Sequence, residues 1–266
     1  MADKPYAEIQ VSSWDWFDER LEGLKPGEWL FRGQSDACWS LKTTFYRSLA
    51  DIQMLVRKAE GNYHPIEKTY EDLILGAFQK NASQYLESLP FPDEKLEWLA
   101  IMQHYGAPTR LLDVTLSPHI ATYFALEAGS KECCVFAFNR TILREFNQPE
   151  LGGKTNVEIQ NDIFEGNEYY ISTFEPRSSN ERLVSQQGLF LVPSQVDIPF
   201  ENLFIYYWDI ADDYACIKYI IPPELRLLGL KRLSKMNISS RTLFPGLEGF
   251  CKSLKFQAFE SIQKPK

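Results

Sequence analysis

Gln103-His104-Tyr105-Gly106-Ala107-Pro108-Thr109-Arg110-Leu111-Leu112-Asp113-Val114-Thr115 runs on into Ser117-Pro118-His119 and Tyr123-Phe124-Ala125, and it belongs with an earlier segment, Phe31-Arg32-Gly33-Gln34. Ahead of Gly106, the residues Leu96, Leu99, Ala100 and Gln103 recur at the spacing of one helix face. Gly106 and Pro108 close that helix, because glycine admits positive φ and proline drives its predecessor out of the α region. Ser117 followed by Pro118 opens another, with serine as N-cap and proline in the first turn. Between the two helices lies a loop with a histidine, a tyrosine, a threonine, an arginine and an aspartate, denser in side-chain chemistry than an ordinary connection.

Upstream of the loop, Glu28 to Arg32 alternates as a strand, with Trp29 and Phe31 on one face and Leu30 and Arg32 on the other. An arginine at a strand end beside a glycine either projects from an apolar wall into open space or bonds a carboxylate or helix C-terminus. Ser12 or Ser13 caps a short helix with Trp16, Phe17 and Leu21 inward, ended by Lys25-Pro26-Gly27. Two helices, Leu41 to Glu60 and Pro65 to Leu89, form a helical insert around 41–103, with His64 in the loop between them. Tyr70, Leu73, Ile74, Ala77, Phe78 and Tyr85 make a core stripe on the second.

Downstream, Cys133 to Phe138 is an apolar run suited to a strand covered on both faces. The 140–166 stretch is polar, with a helix around Thr141 to Phe146 and a loop holding Gly152-Gly153. Tyr169 to Phe174 and Leu189 to Val192 read as strands, while Leu203 to Trp208 and Ala215 to Ile221 read as an antiparallel hairpin turning at Ala211-Asp212-Asp213. A helix with Arg226, Lys231, Arg232 and Lys235 starts at Pro222, and another runs from Pro245 to Phe259. There is no repeat and no sharp change of composition, so a single domain over 1–266 is expected, of α+β class with a central, mostly antiparallel sheet flanked by helices.

A formal net charge of −8 argues against a broad electrostatic footprint for duplex nucleic acid while leaving room for a local basic pocket. No apolar run is long enough to span a bilayer and the N-terminus has no signal-peptide core, so a cytoplasmic protein without a membrane partner is expected. Five cysteines without a CxxC pair read as reduced, mostly buried apolar residues, and three histidines offer little for a metal, so none is expected.

Arg32 and Arg110 suit a bidentate grip on phosphate or carboxylate oxygens. His104 and Tyr105 can stack on a base or nicotinamide ring. Gln34, Gln103, Thr109 and Thr115 add hydrogen-bonding groups, and Asp113 a carboxylate. The kit fits a nucleotide-like, phosphorylated ligand, NAD among them, with Asp113, His104 and Tyr105 as candidate catalytic groups. There is no P-loop and no GxGxxG fingerprint. Two other readings compete: a module that binds a nucleotide or a partner peptide without turnover, and a structural role in which Arg110 and Asp113 form a buried ion pair with His104 bonded to backbone.

In order, FRGQ, QHYGAPTRLLDVT, SPHIATYFA, NERLVSQQGLF and LFPGLEGF resemble the FRG domain family, named for the residues that here are Phe31, Arg32 and Gly33. Val114 stands where that resemblance calls for an aromatic residue, and Ser117 where it calls for asparagine. The order of features is also similar to that of ADP-ribosyltransferases: an arginine then glycine on an early strand, a helix with Tyr-Phe-Ala, and a Gly-x-Phe strand at Gly188-Leu189-Phe190. That likeness implies an arginine on the pyrophosphate and a glutamate ahead of the last motif, where this chain has Arg182, with Glu181 one residue away. The expectation is a pocket formed by FRGQ, the His104 to Thr115 loop and Gln187. Its function would be that of a nucleotide-dependent effector or defence-type enzyme performing ADP-ribosyl transfer or NAD cleavage, on a protein or nucleic-acid target the residues do not specify.

Overall fold

The structure is a computed structural model that describes residues 5–60, 67–177, 180–207 and 214–263. The elements in chain order are β1 (Ala7–Gln10), α1 (Trp14–Glu22), β2 (Trp29–Gln34), α2 (Thr44–Glu60), α3 (Glu67–Ala82), α4 (Lys95–His104), β3 (Leu112–Thr115) and α5 (Pro118–Leu126). There follow β4 (Cys133–Asn139), α6 (Arg140–Leu151), α7 (Asn156–Glu165), β5 (Ile171–Phe174), α8 (Glu181–Ser185), β6 (Gly188–Pro193) and a 3₁₀ helix (Phe200–Tyr207). The chain ends in β7 (Cys216–Ile221), α9 (Pro223–Lys235), α10 (Ser240–Leu243) and α11 (Leu247–Gln263).

The strands form one sheet in the order β1-β7-β4-β2-β3-β6-β5. Every described pairing is antiparallel except β1 with β7, so the α+β reading with a mostly antiparallel sheet holds. Alternation along β4 divides the core. Cys134, Phe136 and Phe138 join Leu30 and the 3₁₀-helix residues Phe204 and Tyr207 on one face. Cys133, Val135 and Ala137 join Phe17, Ile120, Leu126 and Tyr219 on the other. Beyond β3, a third cluster packs α3, α4 and α7 onto Phe190 and Val192 of β6. Burying each of these large side chains contributes roughly 1.5–3 kcal/mol.

Gly33 sets how closely α5 lies on β2: a Cβ there would meet the Ala121 carbonyl oxygen at 1.9 Å and the Ala125 nitrogen at 2.6 Å. The helix itself starts where the sequence says, with Ser117 accepting a hydrogen bond from the Ile120 N–H at 3.3 Å.

Several expectations change. The end of the loop between α4 and α5 is a strand, since Leu112–Thr115 pairs with β6 and carries Asp113. Leu73 and Tyr85 are exposed and not part of a core stripe, and α3 stops at Ala82. The 203–208 segment is not a strand: Phe200, Leu203, Phe204 and Tyr207 are buried at helical spacing, and aromatic residues that favour strands here fill one face of a 3₁₀ helix. The hairpin therefore does not form, and β7 pairs instead with β4 and, in parallel, with β1. The 140–166 stretch is two helices rather than a helix and loop, the second opened by a Thr155/Glu158 capping box. The proposed turn at 211–213, Trp208 and His64 lie outside the described residues.

All five cysteines are free. Cys133, Cys134 and Cys216 are buried, and burial pushes the Cys133 and Cys134 thiols up to about 11 and about 12, as expected of inert core residues. Among the described residues no helix is long and apolar enough to cross a membrane.

Candidate functional site

The sheet opens between β2 and β3. While β2 and β4 share six register pairs, β2 and β3 share one, Phe31 opposite Thr115. Beyond it the Arg32 side chain stands in for the missing ladder: Nη1 donates to the Asp113 carbonyl at 2.6 Å and lies 3.7 Å from the Asp113 carboxylate. The opening between the two strands is thus bridged by a guanidinium, which supplies several donors in a fixed fork.

A cleft of about 1030 Å³ occupies this opening. Its floor is the end of β2 with β3 and the start of β6, and its walls come from α4, α5, the 38–47 segment and α8. Of the residues the sequence singled out, Arg32, Gln34, Gln103, His104, Tyr105, Asp113 and Thr115 line it, whereas Thr109, Arg110 and Gln187 do not.

Arg110 is the largest departure. It is 1% exposed and does not share a hollow with Arg32. Nε donates to Glu71 Oε1 at 2.7 Å, Nη2 to Glu71 Oε2, and Nη1 to the carbonyls of Ile163, Pro193 and Ser194. The guanidinium also sits 4.5 Å over the Phe164 ring. The ion pair suggested by the three-residue spacing of Arg110 and Asp113 does not form either, because Arg110 leaves the loop on the side of α3 while Asp113 faces Arg32.

Thr109 is fully buried beneath the cleft. Gln187 takes a left-handed φ of 46° at the turn into β6, and its neighbour Gln186 lines the cleft in its place. The Gln186 carbonyl accepts the Thr115 hydroxyl at 2.7 Å and its amide donates to the Leu243 carbonyl at 3.0 Å. The 181–185 segment is a helix, and of the two residues weighed for the glutamate position ahead of the Gly-x-Phe strand, Arg182 lines the cleft and Glu181 does not.

Trp39, Lys42 and Arg47 line the cleft without having been singled out. One signal was available: α2 has no acidic residue in its first turn, while Lys42 precedes it and Arg47 lies in it, against the usual preference for negative charge at a helix start. Lining cations Arg32, Lys42, Arg47 and Arg182 outnumber the carboxylates Glu97 and Asp113 by four to two, on a chain of net charge −8. Glu97 accepts the Arg177 backbone N–H at 3.0 Å. Arg47 donates to the Lys42 carbonyl at 2.7 Å and meets no carboxylate among the described residues. Desolvation draws the Arg32 pKa below its ordinary value, the Asp113 charge opposes that and the Arg47 charge adds to it.

Asp113 is the accessible carboxylate, its side chain 59% exposed. Its Oδ2 accepts from Gln103 Nε2 at 2.9 Å. His104 packs edge-on to Tyr105 at 4.9 Å, and partial burial together with the Arg182 charge lowers its pKa despite Glu248, leaving the imidazole mainly neutral at pH 7. Trp39 and Tyr105 remain 57% and 68% exposed at the cleft. Among the described residues, no group of three or more His, Cys, Asp or Glu is placed to hold a metal ion.

A family model described as FRG domain matches residues 27–133, from just before β2 to the start of β4. No curated protein and no solved structure matches the chain.

Proposed function

We propose that the cleft, most of whose lining lies within the residues 27–133 that match the FRG domain model, binds a dinucleotide of the NAD type and breaks its nicotinamide–ribose bond, for ADP-ribosyl transfer or NAD cleavage in an effector or defence setting. The observation that carries the reading is the excess of cations in the cleft, Arg32, Lys42, Arg47 and Arg182, opposite one accessible carboxylate. The neighbouring guanidiniums of Arg32 and Arg47, without a matching pair of carboxylates, suit a pyrophosphate, whose oxygens each fork can take in bidentate fashion. The exposed rings of His104, Tyr105 and Trp39 offer surfaces for the flat ends of the ligand.

In this reading the bond from ribose C1′ to the nicotinamide nitrogen breaks with its electron pair going to nicotinamide, which leaves neutral. The positive charge that develops on the ribose is met by Asp113. Water or a hydroxyl, amine or other nucleophile of the target then adds at C1′, and its proton passes to the neutral His104 imidazole.

The test is release of nicotinamide from labelled NAD, in the presence of cell extract as a source of acceptors. Asp113→Asn is expected to lower the rate about 100-fold with little change in melting temperature, since the amide keeps the side chain's shape on an exposed position. Wild-type protein that binds NAD but releases no nicotinamide would instead identify a binding module, and an Asp113→Asn variant as active as wild type would remove Asp113 from the mechanism.

A further inference from the structure

We infer that Thr109 is a positioning residue, its buried hydroxyl fixing which way the Gln103 amide faces and thereby holding the Asp113 carboxylate toward the cleft. This rests on the reading of Asp113 as the working carboxylate, but the geometry stands by itself. Thr109 Oγ1 accepts the Leu111 N–H at 3.2 Å, and a backbone N–H can only donate, so the hydroxyl proton must point elsewhere. The acceptor it reaches is Gln103 Oε1, at 2.6 Å.

Thr44 makes the same argument from α2. Its hydroxyl accepts the Thr109 N–H at 3.0 Å, so its proton is directed to the Thr109 carbonyl at 3.1 Å or to Gln103 Oε1 at 3.4 Å. With its oxygen fixed by these hydroxyls, Gln103 has only its NH₂ to offer Asp113, and Nε2 donates to Oδ2 at 2.9 Å. A flipped amide would set oxygen against carboxylate and strand the Thr109 proton in a fully buried position. Oδ2 is thereby held between Gln103 and Arg32, and among the described residues Oδ1 accepts no hydrogen bond. The chain of bonds from Leu111 through Thr109 and Gln103 to Asp113 transmits a direction, not a charge.

Two readouts test this, one of them independent of turnover. In ligand-free wild-type protein the Gln103 side-chain amide should give two separate, slowly exchanging proton resonances. Thr109→Val should speed that exchange roughly tenfold or more, and Thr109→Ser should leave it as in wild type. In nicotinamide release, Thr109→Val should lower kcat roughly tenfold with KM nearly unchanged, with activity restored by Thr109→Ser. Should the valine variant fail to fold, Gln103→Glu, on a partly exposed position, should move the Asp113 carboxyl carbon resonance by setting an acceptor against it. An unchanged Gln103 signal in a folded Thr109→Val protein, no retention in Thr109→Ser, or an unmoved Asp113 resonance in Gln103→Glu would overturn the inference. If wild type releases no nicotinamide, the enzyme reading fails while the amide resonances still decide the role of Thr109.

Discussion

Glu71→Ala is expected to lower the melting temperature by about 10 °C, and Arg110→Met by more. The buried pair is bidentate and water is excluded from both partners, so removing the carboxylate leaves a guanidinium with no counter-charge. Breaking such a pair costs about 3–5 kcal/mol, and in a chain of this size each kcal/mol moves the midpoint by about 2–4 °C. Arg110→Met does additional damage because the same side chain satisfies the carbonyls of Ile163, Pro193 and Ser194, which tie α7 and the exit of β6 to the loop. Stranding those acceptors costs roughly 1–3 kcal/mol each. The double variant Glu71→Leu/Arg110→Met should therefore recover only the part of the loss due to the unpaired carboxylate. Thermal denaturation of the four proteins checks the order wild type, Glu71→Ala, double variant close to or below it, Arg110→Met. An Arg110→Met protein as stable as wild type would mean that Arg110 is not the staple described.

Gly33→Ala is expected to be at least as severe, for a different reason. The new methyl group would sit 1.9 Å from the Ala121 carbonyl oxygen, where ordinary contact begins at 3.4 Å, so helix and strand must part by about 1.5 Å. Neither partner can yield locally, because the obstacle is helix backbone and not the end of a flexible side chain. α5 also carries Ala121 and Phe124 into the cleft, so the shift opens the site as well as the core. Melting temperature and ligand binding should fall together. The control is Gly76→Ala in α3, where a Cβ meets nothing within 4 Å and helix propensity favours alanine; it should be neutral or slightly stabilising. A Gly33→Ala protein with wild-type stability would show that α5 does not lie where described.

The parts of the fold legible in the sequence are those decided within a few residues. Gly106 has a φ of 84° and ends α4, Ser117 caps α5, and the even burial of β4 follows from an apolar run with no polar face. The site was legible to the extent that strand alternation and loop spacing brought Arg32, Gln103, His104 and Asp113 to one place. What failed depended on distant partners. Arg110 has the same chemistry as Arg32, and only the arrival of Glu71 on α3, 39 positions away, decides that it is buried and not facing a ligand. Two further guanidiniums line the cleft, Arg182 and Arg47, and Arg47 belongs to a helix read as part of an insert and reaches the site by tertiary packing. At 203–208 the residue types argued for a strand, whereas the residues that are buried, Phe200, Leu203, Phe204 and Tyr207, fall at helical spacing.

Calorimetric titration with ADP-ribose, which keeps the pyrophosphate but has no nicotinamide to lose, tests the cleft most directly. One site per chain is expected, weakened at least about tenfold by Arg47→Ala and by Arg32→Lys, since a lysine keeps the charge but not the fork, and weakened further by salt. Absence of binding, or binding indifferent to both substitutions in folded protein, would contradict a phosphate-gripping cleft between β2 and β3.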